Sequence, residues 1–334
     1  MASHTRDLIV IGASAGGVEA LERILAGLPS DFPAAICVVL HIQASRFSHL
    51  PAILSRQGAL PAVHPTDGSP IRKGHVYVAP PDQHLLVKDG HIQLSAGPKE
   101  NHARPAVNPL FRSAAVAYGS RVIGVVLTGA LDDGTAGLWE IKQRGGTTIV
   151  QDPRDARHPD MPRNALEQVP IDHVMPLRGM ASLLTDLVGQ AISRHAIEQT
   201  PEEEDMKAFH PTRLTCPECR GPISESGQST VKEYRCRVGH RYSADTYVEA
   251  HSETRERTLW AAILALEEAA DVMKTLAESK PANKRRWEQE ADNNVHAASK
   301  IRELREWLTK EQSLHLTQEP DNQSVQEKPG ESAA

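Results

Sequence analysis

IVIGASAGGVEAL (residues 9–21) passes from a β-branched apolar run, through a glycine-rich turn, into a helical pattern. A strand this uniformly apolar needs cover on both faces, which is the habit of parallel sheets. Outward from it the same alternation recurs. Apolar runs stand at DLIVIG from Asp7, AAICVVLH from Ala34, HVYVAP from His75, RVIGVVLTG from Arg121 and TTIV from Thr147. Helical patterns lie between several of them, including 18–28 and 109–119. This order predicts an α/β fold, a doubly wound, mostly parallel sheet with helices on both faces. One exception is HLLVKDGHIQL (84–94), where Asp89-Gly90 predicts a tight turn between antiparallel strands.

The turn itself carries the first chemical signal. Ser14 lies among Gly12, Gly16 and Gly17, at a helix start whose unpaired N–H groups and positive dipole end suit a developing oxyanion. The same turn could cradle a phosphate or a dinucleotide. However, the spacing is not G-x-G-x-x-G, and no Lys-Ser or Lys-Thr pair follows. His41 directly follows the run AICVVL, so it projects from the carboxyl end of a strand, the edge that hosts active sites in open α/β sheets. A neutral imidazole beside Ser14 could accept the hydroxyl proton. Asp132 and Asp133 follow a third such run. One can orient His41 while the other caps the helix that begins near Thr135, and spacing does not choose between them.

Composition narrows the setting. Aromatic residues make up only 4%, so the core has to be built from Val, Ile, Leu and Ala. A net charge of -6 gives no reason to expect nucleic acid as a partner. No run approaches the roughly 18 apolar residues of a membrane span, so no direct membrane insertion is expected. The N-terminus lacks the pattern of a secretory signal, and a cytoplasmic location with reduced thiols is expected.

Past residue 195 the composition changes. Residues 196–212 are acidic, bracketed by prolines, and read as a linker. In the segment 213–248, Cys216 and Cys219 form a C-x2-C pair; after sixteen intervening residues Cys236 and His240 form C-x3-H. Four soft donors with no open position predict a structural Zn2+ in a zinc-ribbon-like module. Residues 249–312 predict a helical hairpin, with helices at 252–279 and 284–310 broken at Lys280-Pro281, and 313–334 a disordered tail. The hairpin could dock a partner protein or simply cover the ribbon.

Residues 1–195 resemble the catalytic domain of the chemotaxis protein-glutamate methylesterase family. The matching segments are IGASAGG (11–17), VVLH (38–41), VYVAPPDQHL (76–85), RPAVNPLFRSAA (104–115), VVLTGALDDGTAG (125–137) and QDPRDARHPDMPRNAL (151–166). The resemblance implies Ser14 as nucleophile, His41 as base and Asp133 as the third triad member. It also implies hydrolysis of glutamate γ-methyl esters on methyl-accepting chemoreceptors with release of methanol. Glutamine deamidation by the same attack would be a side activity, and catalysis would need no cofactor. Backbone N–H groups near Ser14 and Ala15 would hold the oxyanion. The family usually has Asn where this chain has Asp132, and Met-Gly where it has Ala130-Leu131. The loop 151–166 carries Arg154, Arg157 and Arg163, which either meet an acidic receptor face or form a solvated, proline-locked loop. The C-terminal segment is similar to the CPxC…RCRVGH tails of some family members. Family members commonly begin with a phosphorylatable receiver domain, whereas Ser14 here lies close to residue 1. Control is therefore expected from the zinc module and helices, with a separate regulator reached through the helices. The competing expectation is a non-enzymatic signalling scaffold that uses the same module and helices.

Overall fold

The structure, a computed structural model, describes residues 5–42, 48–190, 209–226 and 231–317. Of the linker expected at 196–212, residues 196–208 lie outside them, as does the tail from 318 onward; 209–212 are not linker but the first residues of a strand, Phe209–Thr215, that pairs with Pro222–Ser226. Two compact units divide the chain, at 1–250 and 251–334.

In the first unit, apolar runs become strands wherever both faces can be covered. β1 (Leu8–Ala13), β2 (Ala35–Leu40), β3 (Ala62–Val63), β4 (Val76–Val78), β7 (Val122–Val126), β8 (Thr147–Gln151) and β9 (His173–Met175) form one sheet. Their order is β3-β4-β2-β1-β7-β8-β9, and all pairings are parallel. The edge strands β3 and β9 have no counterpart among the apolar runs of the sequence. They are two and three residues long, too short to carry a periodic signal, and form only because a neighbour offers its ladder. Between β5 (His84–Lys88) and β6 (His91–Ser95) the Asp89-Gly90 pair makes the antiparallel turn expected of it, with both residues at positive φ.

Alternate residues of each strand feed two cores. Ile9, Ile11, Ile36, Val38 and Ile123 pack under α1 (Gly17–Ala26), α2 (Leu50–Gln57) and α6 (Leu177–Val188). On the other face Leu8, Val10, Cys37, Val39 and Val126 pack under α3 (Val107–Tyr118), α4 (Thr135–Gln143), α5 (Asp160–Gln168) and the hairpin. This two-sided burial is the reason the runs are uniformly apolar rather than alternating. Cys37 lies fully inside, where burial pushes its thiol up to about 12 and makes it inert.

The order reverses at β1, with β2 on one side and β7 on the other. In open α/β sheets this switch point leaves a crevice at the carboxyl ends. Helix α3 reaches the crevice because Gly12 has no side chain: a Cβ there would stand 2.3 Å from Val107 Cγ1.

The module after 208 is a four-stranded antiparallel sheet of β10 (Phe209–Thr215), β11 (Pro222–Ser226), β12 (Glu233–Cys236) and β13 (Arg241–Ser243). Val231 of this module joins the α3-side core. Half-buried Arg112 of α3 pairs with Glu233 at 3.2 Å and also with Glu100. Helix α7 begins at Ala244 rather than at 252. Ser243 and Thr246 form a reciprocal cap there: Thr246 N–H donates to Ser243 Oγ (3.2 Å) and Ser243 N–H to Thr246 Oγ1 (3.1 Å).

In the second unit, α7 runs to Ser279 and α8 covers Lys284–Thr317, so α8 continues into residues expected as tail. Ile263, Ala270 and Ala277 on one helix, and Ala291 and Ala298 on the other, are buried at heptad spacing. Arg305 lies over the Trp260 ring, 4.2 Å from its centroid.

Candidate active site and metal centre

Three strand ends meet at the switch point. Ala13 and Leu40 are register partners on β1 and β2, so Ser14 and His41 leave adjacent strands at the same level. His41 N–H donates to Ala13 O at 3.2 Å, which ties the two exits together. His41 Nε2 stands 2.7 Å from Asp133 Oδ2. With the proton on Nε2 it donates there, and Nδ1 is left as the free acceptor. Among the described residues no hydrogen bond joins Ser14 Oγ to His41.

Asp133 is 2% exposed and fully bonded. Besides His41 it accepts from Val107 N–H (2.6 Å), Asn108 N–H (3.3 Å) and Asn101 Nδ2 (3.2 Å). Burial opposes its ionisation, but the bonds from His41 and the two backbone N–H groups outweigh that and hold its carboxyl below the usual carboxylate range. A negative charge is therefore maintained beside the imidazole.

Asp132 behaves differently from its neighbour. It caps no helix: α4 has no side-chain cap of its own, and Asp132 Oδ1 instead accepts from Ser243 Oγ at 2.8 Å. The α4 start is served from a distance by buried Asn108, whose Oδ1 accepts from Gly134 N–H (3.1 Å) and Gly137 N–H (2.8 Å). Burial pushes Asp132 up to about 7. The Ser243 hydrogen bond works against this, and the charges of Asp245 and Asp133 add to it.

The Ser14 turn is held from β7. Ser14 N–H donates to Thr128 O (3.0 Å), and Thr128 Oγ1 donates to Ala15 O (2.9 Å). Thr128 N–H in turn donates to Gln151 Oε1 (2.9 Å), and Gln151 Nε2 to Asp155 Oδ2 (3.0 Å). Because Ser14 N–H is committed, it is not available to an oxyanion. Ala15 and Gly16 N–H have no acceptor among the described residues and lie at the start of α1. Gly129 passes so close that a Cβ would meet Met161 Sδ at 2.1 Å and Ser14 Cβ at 2.8 Å. Thr128, Gln151 and Met161 lie inside the matching segments 125–137 and 151–166, but nothing in their residue types or spacing points to the serine; the folded register brings them there.

Other residues of the matching segments have structural tasks. His84 is buried between Ala106 N–H and Pro98 O, and burial lowers its pKa. In the arginine loop, Arg154 pairs with Asp152 and Arg157 reaches Glu19 at 3.6 Å; both guanidinium groups are largely exposed.

In the second cluster, the donor atoms of Cys216, Cys219, Cys236 and His240 lie within 4.8 Å of one another. Cys219 Sγ is 3.6 Å from Cys236 Sγ, and His240 Nδ1 is 3.7 and 3.5 Å from Cys216 Sγ and Cys236 Sγ. A tetrahedral ion with bonds of roughly 2.0–2.3 Å needs its donors roughly 3.3–3.8 Å apart, so these residues fit a metal such as zinc. Tyr242 OH lies 3.4 Å from Cys216 Sγ.

The fold and this edge define a doubly wound α/β domain with an imidazole–carboxylate pair at its switch point. Comparison with known proteins places it further. The family described as CheB methylesterase matches residues 9–184. A Leptospira interrogans protein, assigned by inference as a protein-glutamate methylesterase/protein-glutamine glutaminase, is 41% identical over 182 residues, covering 54% of this chain and 94% of its own. The Anaeromyxobacter dehalogenans protein-glutamate methylesterase/protein-glutamine glutaminase 2 is 41% identical over 181 residues, 54% of this chain and 53% of its own. The crystal structure of the Thermotoga maritima CheB methylesterase catalytic domain superposes with a TM-score of 0.53 at 35% identity. It covers 55% of this chain and 100% of that one. The chain belongs to the CheB methylesterase family of hydrolases.

Proposed function

We propose that this chain removes methyl groups from glutamate γ-methyl esters on methyl-accepting chemoreceptors, with Ser14, His41 and Asp133 as its triad. The observation that carries the reading is the 2.7 Å pair of His41 and Asp133, set beside the Ser14 turn at the carboxyl edge of the sheet. Asp133 holds Nε2–H, so His41 Nδ1 takes the Ser14 proton as Oγ attacks the ester carbonyl. The N–H groups of Ala15 and Gly16, at the positive end of α1, receive the oxyanion. Methanol leaves with the proton from Nδ1. Water then attacks the acyl-enzyme, giving its proton to His41, and the glutamate carboxylate and Ser14 hydroxyl are regenerated. A primary amide presents the same carbonyl, so glutamine deamidation, which the relatives' names include, is a second activity of this site.

The Cys216, Cys219, Cys236 and His240 site holds a structural Zn2+, and its module acts with the C-terminal helices in control. Trp307 and Leu264 of the second unit, each 56% exposed, suit the docking of a separate regulator. The protein works in the cytoplasm, on the cytoplasmic part of its receptor. Methanol release from methylated receptor tests the proposal. The native chain is expected to be active and Ser14→Ala inactive; equal rates from the two would refute it.

A further inference from the structure

Asn101 joins the two halves of the first unit at the triad itself. Its Nδ2 donates to Asp133 Oδ1 at 3.2 Å, and the bond is buried. Its Oδ1 accepts from Ser243 N–H at 3.0 Å, at the end of β13 in the metal-site module, and from Thr246 Oγ1 at 2.9 Å, in the first turn of α7. A backbone N–H can only donate, so Ser243 dictates which end of the amide is oxygen. The donor end is thereby turned toward Asp133. Were the amide reversed, two oxygens would face each other at the carboxylate and two donors at Ser243.

The backbone of this segment is held from the same side. Asn101 N–H donates to Arg241 O at 2.9 Å, and Glu100 pairs with Arg241 as an isolated bridge. Asn101 and His102 both adopt positive φ, 47° and 60°, the left-handed region in which Asn and His are enriched among residues with a side chain. Thr246 is 1% exposed, and its hydroxyl has no part in the hydrolytic steps.

We infer that Asn101 is a positioning residue for the triad carboxylate, and that Ser243 and Thr246 of the C-terminal module set its amide. The module is then part of the active-site support rather than an appendage. This rests on the triad proposed above and deepens it.

Asn101→Asp in the full chain is the discriminating variant. It keeps the acceptor for Ser243 and Thr246 but replaces the donor facing Asp133 by an oxygen. The expected result is a fall in kcat of roughly 10- to 100-fold, the usual scale when a partner behind a catalytic group is lost, with KM unchanged. Thr246→Val should lower kcat in the same sense, and Thr246→Ser, which keeps the hydroxyl, should restore it. Independently of turnover, the ring 15N shifts of His41, assigned by their loss in His41→Ala, should change in Asn101→Asp. Native kcat in Asn101→Asp would overturn the inference, and so would lost rate with unaltered His41 shifts. Should Ser14→Ala retain full activity, the esterase reading falls, while the His41 shifts still decide the role of Asn101.

Discussion

Replacing Asp132 by Asn should make the fold markedly less sensitive to the rise in pH from about 4 to 7. Asp132 is 3% exposed and pushed up to about 7, against 3.8 for the free side chain. Below about pH 4 the folded and unfolded chains both carry the proton, and the group has no effect on their balance. As pH rises through 4 to 7, the unfolded chain releases its proton while the folded chain keeps it or must bury a charge. Stability is therefore lost across that window and stays lost above it. A separation of this size corresponds to roughly 4 kcal/mol at pH 8.5. Asn cannot ionise and still offers an oxygen to Ser243 Oγ. Urea unfolding of both proteins, followed by circular dichroism from pH 4.5 to 8.5, checks this, since every other titrating group is shared. The gap between the midpoints should be about a quarter as large at pH 4.5 as at pH 8.5, widening in favour of Asp132→Asn. With m near 2–3 kcal/mol per M, the gap should approach roughly 1–2 M. A separation that does not change with pH would refute the argument that burial withholds the proton.

Asn108→Ala removes the acceptor for two N–H groups at the start of α4 and should destabilise the domain by about 1–3 kcal/mol in urea unfolding. Gly129→Ala forces a methyl against Met161 Sδ and Ser14 Cβ, so kcat should fall by about 100-fold, the scale of a 1 Å misplacement, with native circular dichroism. Cys216→Ser should bring bound zinc, measured by elemental analysis, below one per chain. It should also raise amide hydrogen exchange over residues 232–246, because one of four donors is weakened.

Much of the sheet was legible because burial on both faces leaves a plain mark, namely runs such as Ile9–Ile11 and Val122–Val126 with no polar residue inside. The hairpin was equally plain, since Asp89-Gly90 satisfies a left-handed turn at low cost. Strands β3 and β9 were not, because two or three residues have no period. The start of α7 was missed as well. Its signal, Ser243 followed by Thr246, is a weak form of a capping pair that acquires weight only once both side chains close on each other's N–H.

By itself the sequence determined the local chemistry: a serine in a glycine turn, a histidine and an aspartate after apolar runs, and a Cys/Cys and a Cys/His pair at metal spacing. These depend on residue type and near-neighbour spacing, which the chain carries directly. Tertiary structure alone decided how those groups are bonded and buried. It divided two adjacent aspartates into one bonded by four donors and one that burial drives toward protonation. It also committed Ser14 N–H to Thr128 and placed Asn101 between Asp133 and Ser243. The physical reason is that such roles depend on dielectric surroundings and on partners distant in sequence, and neither exists until the strands and the module have packed.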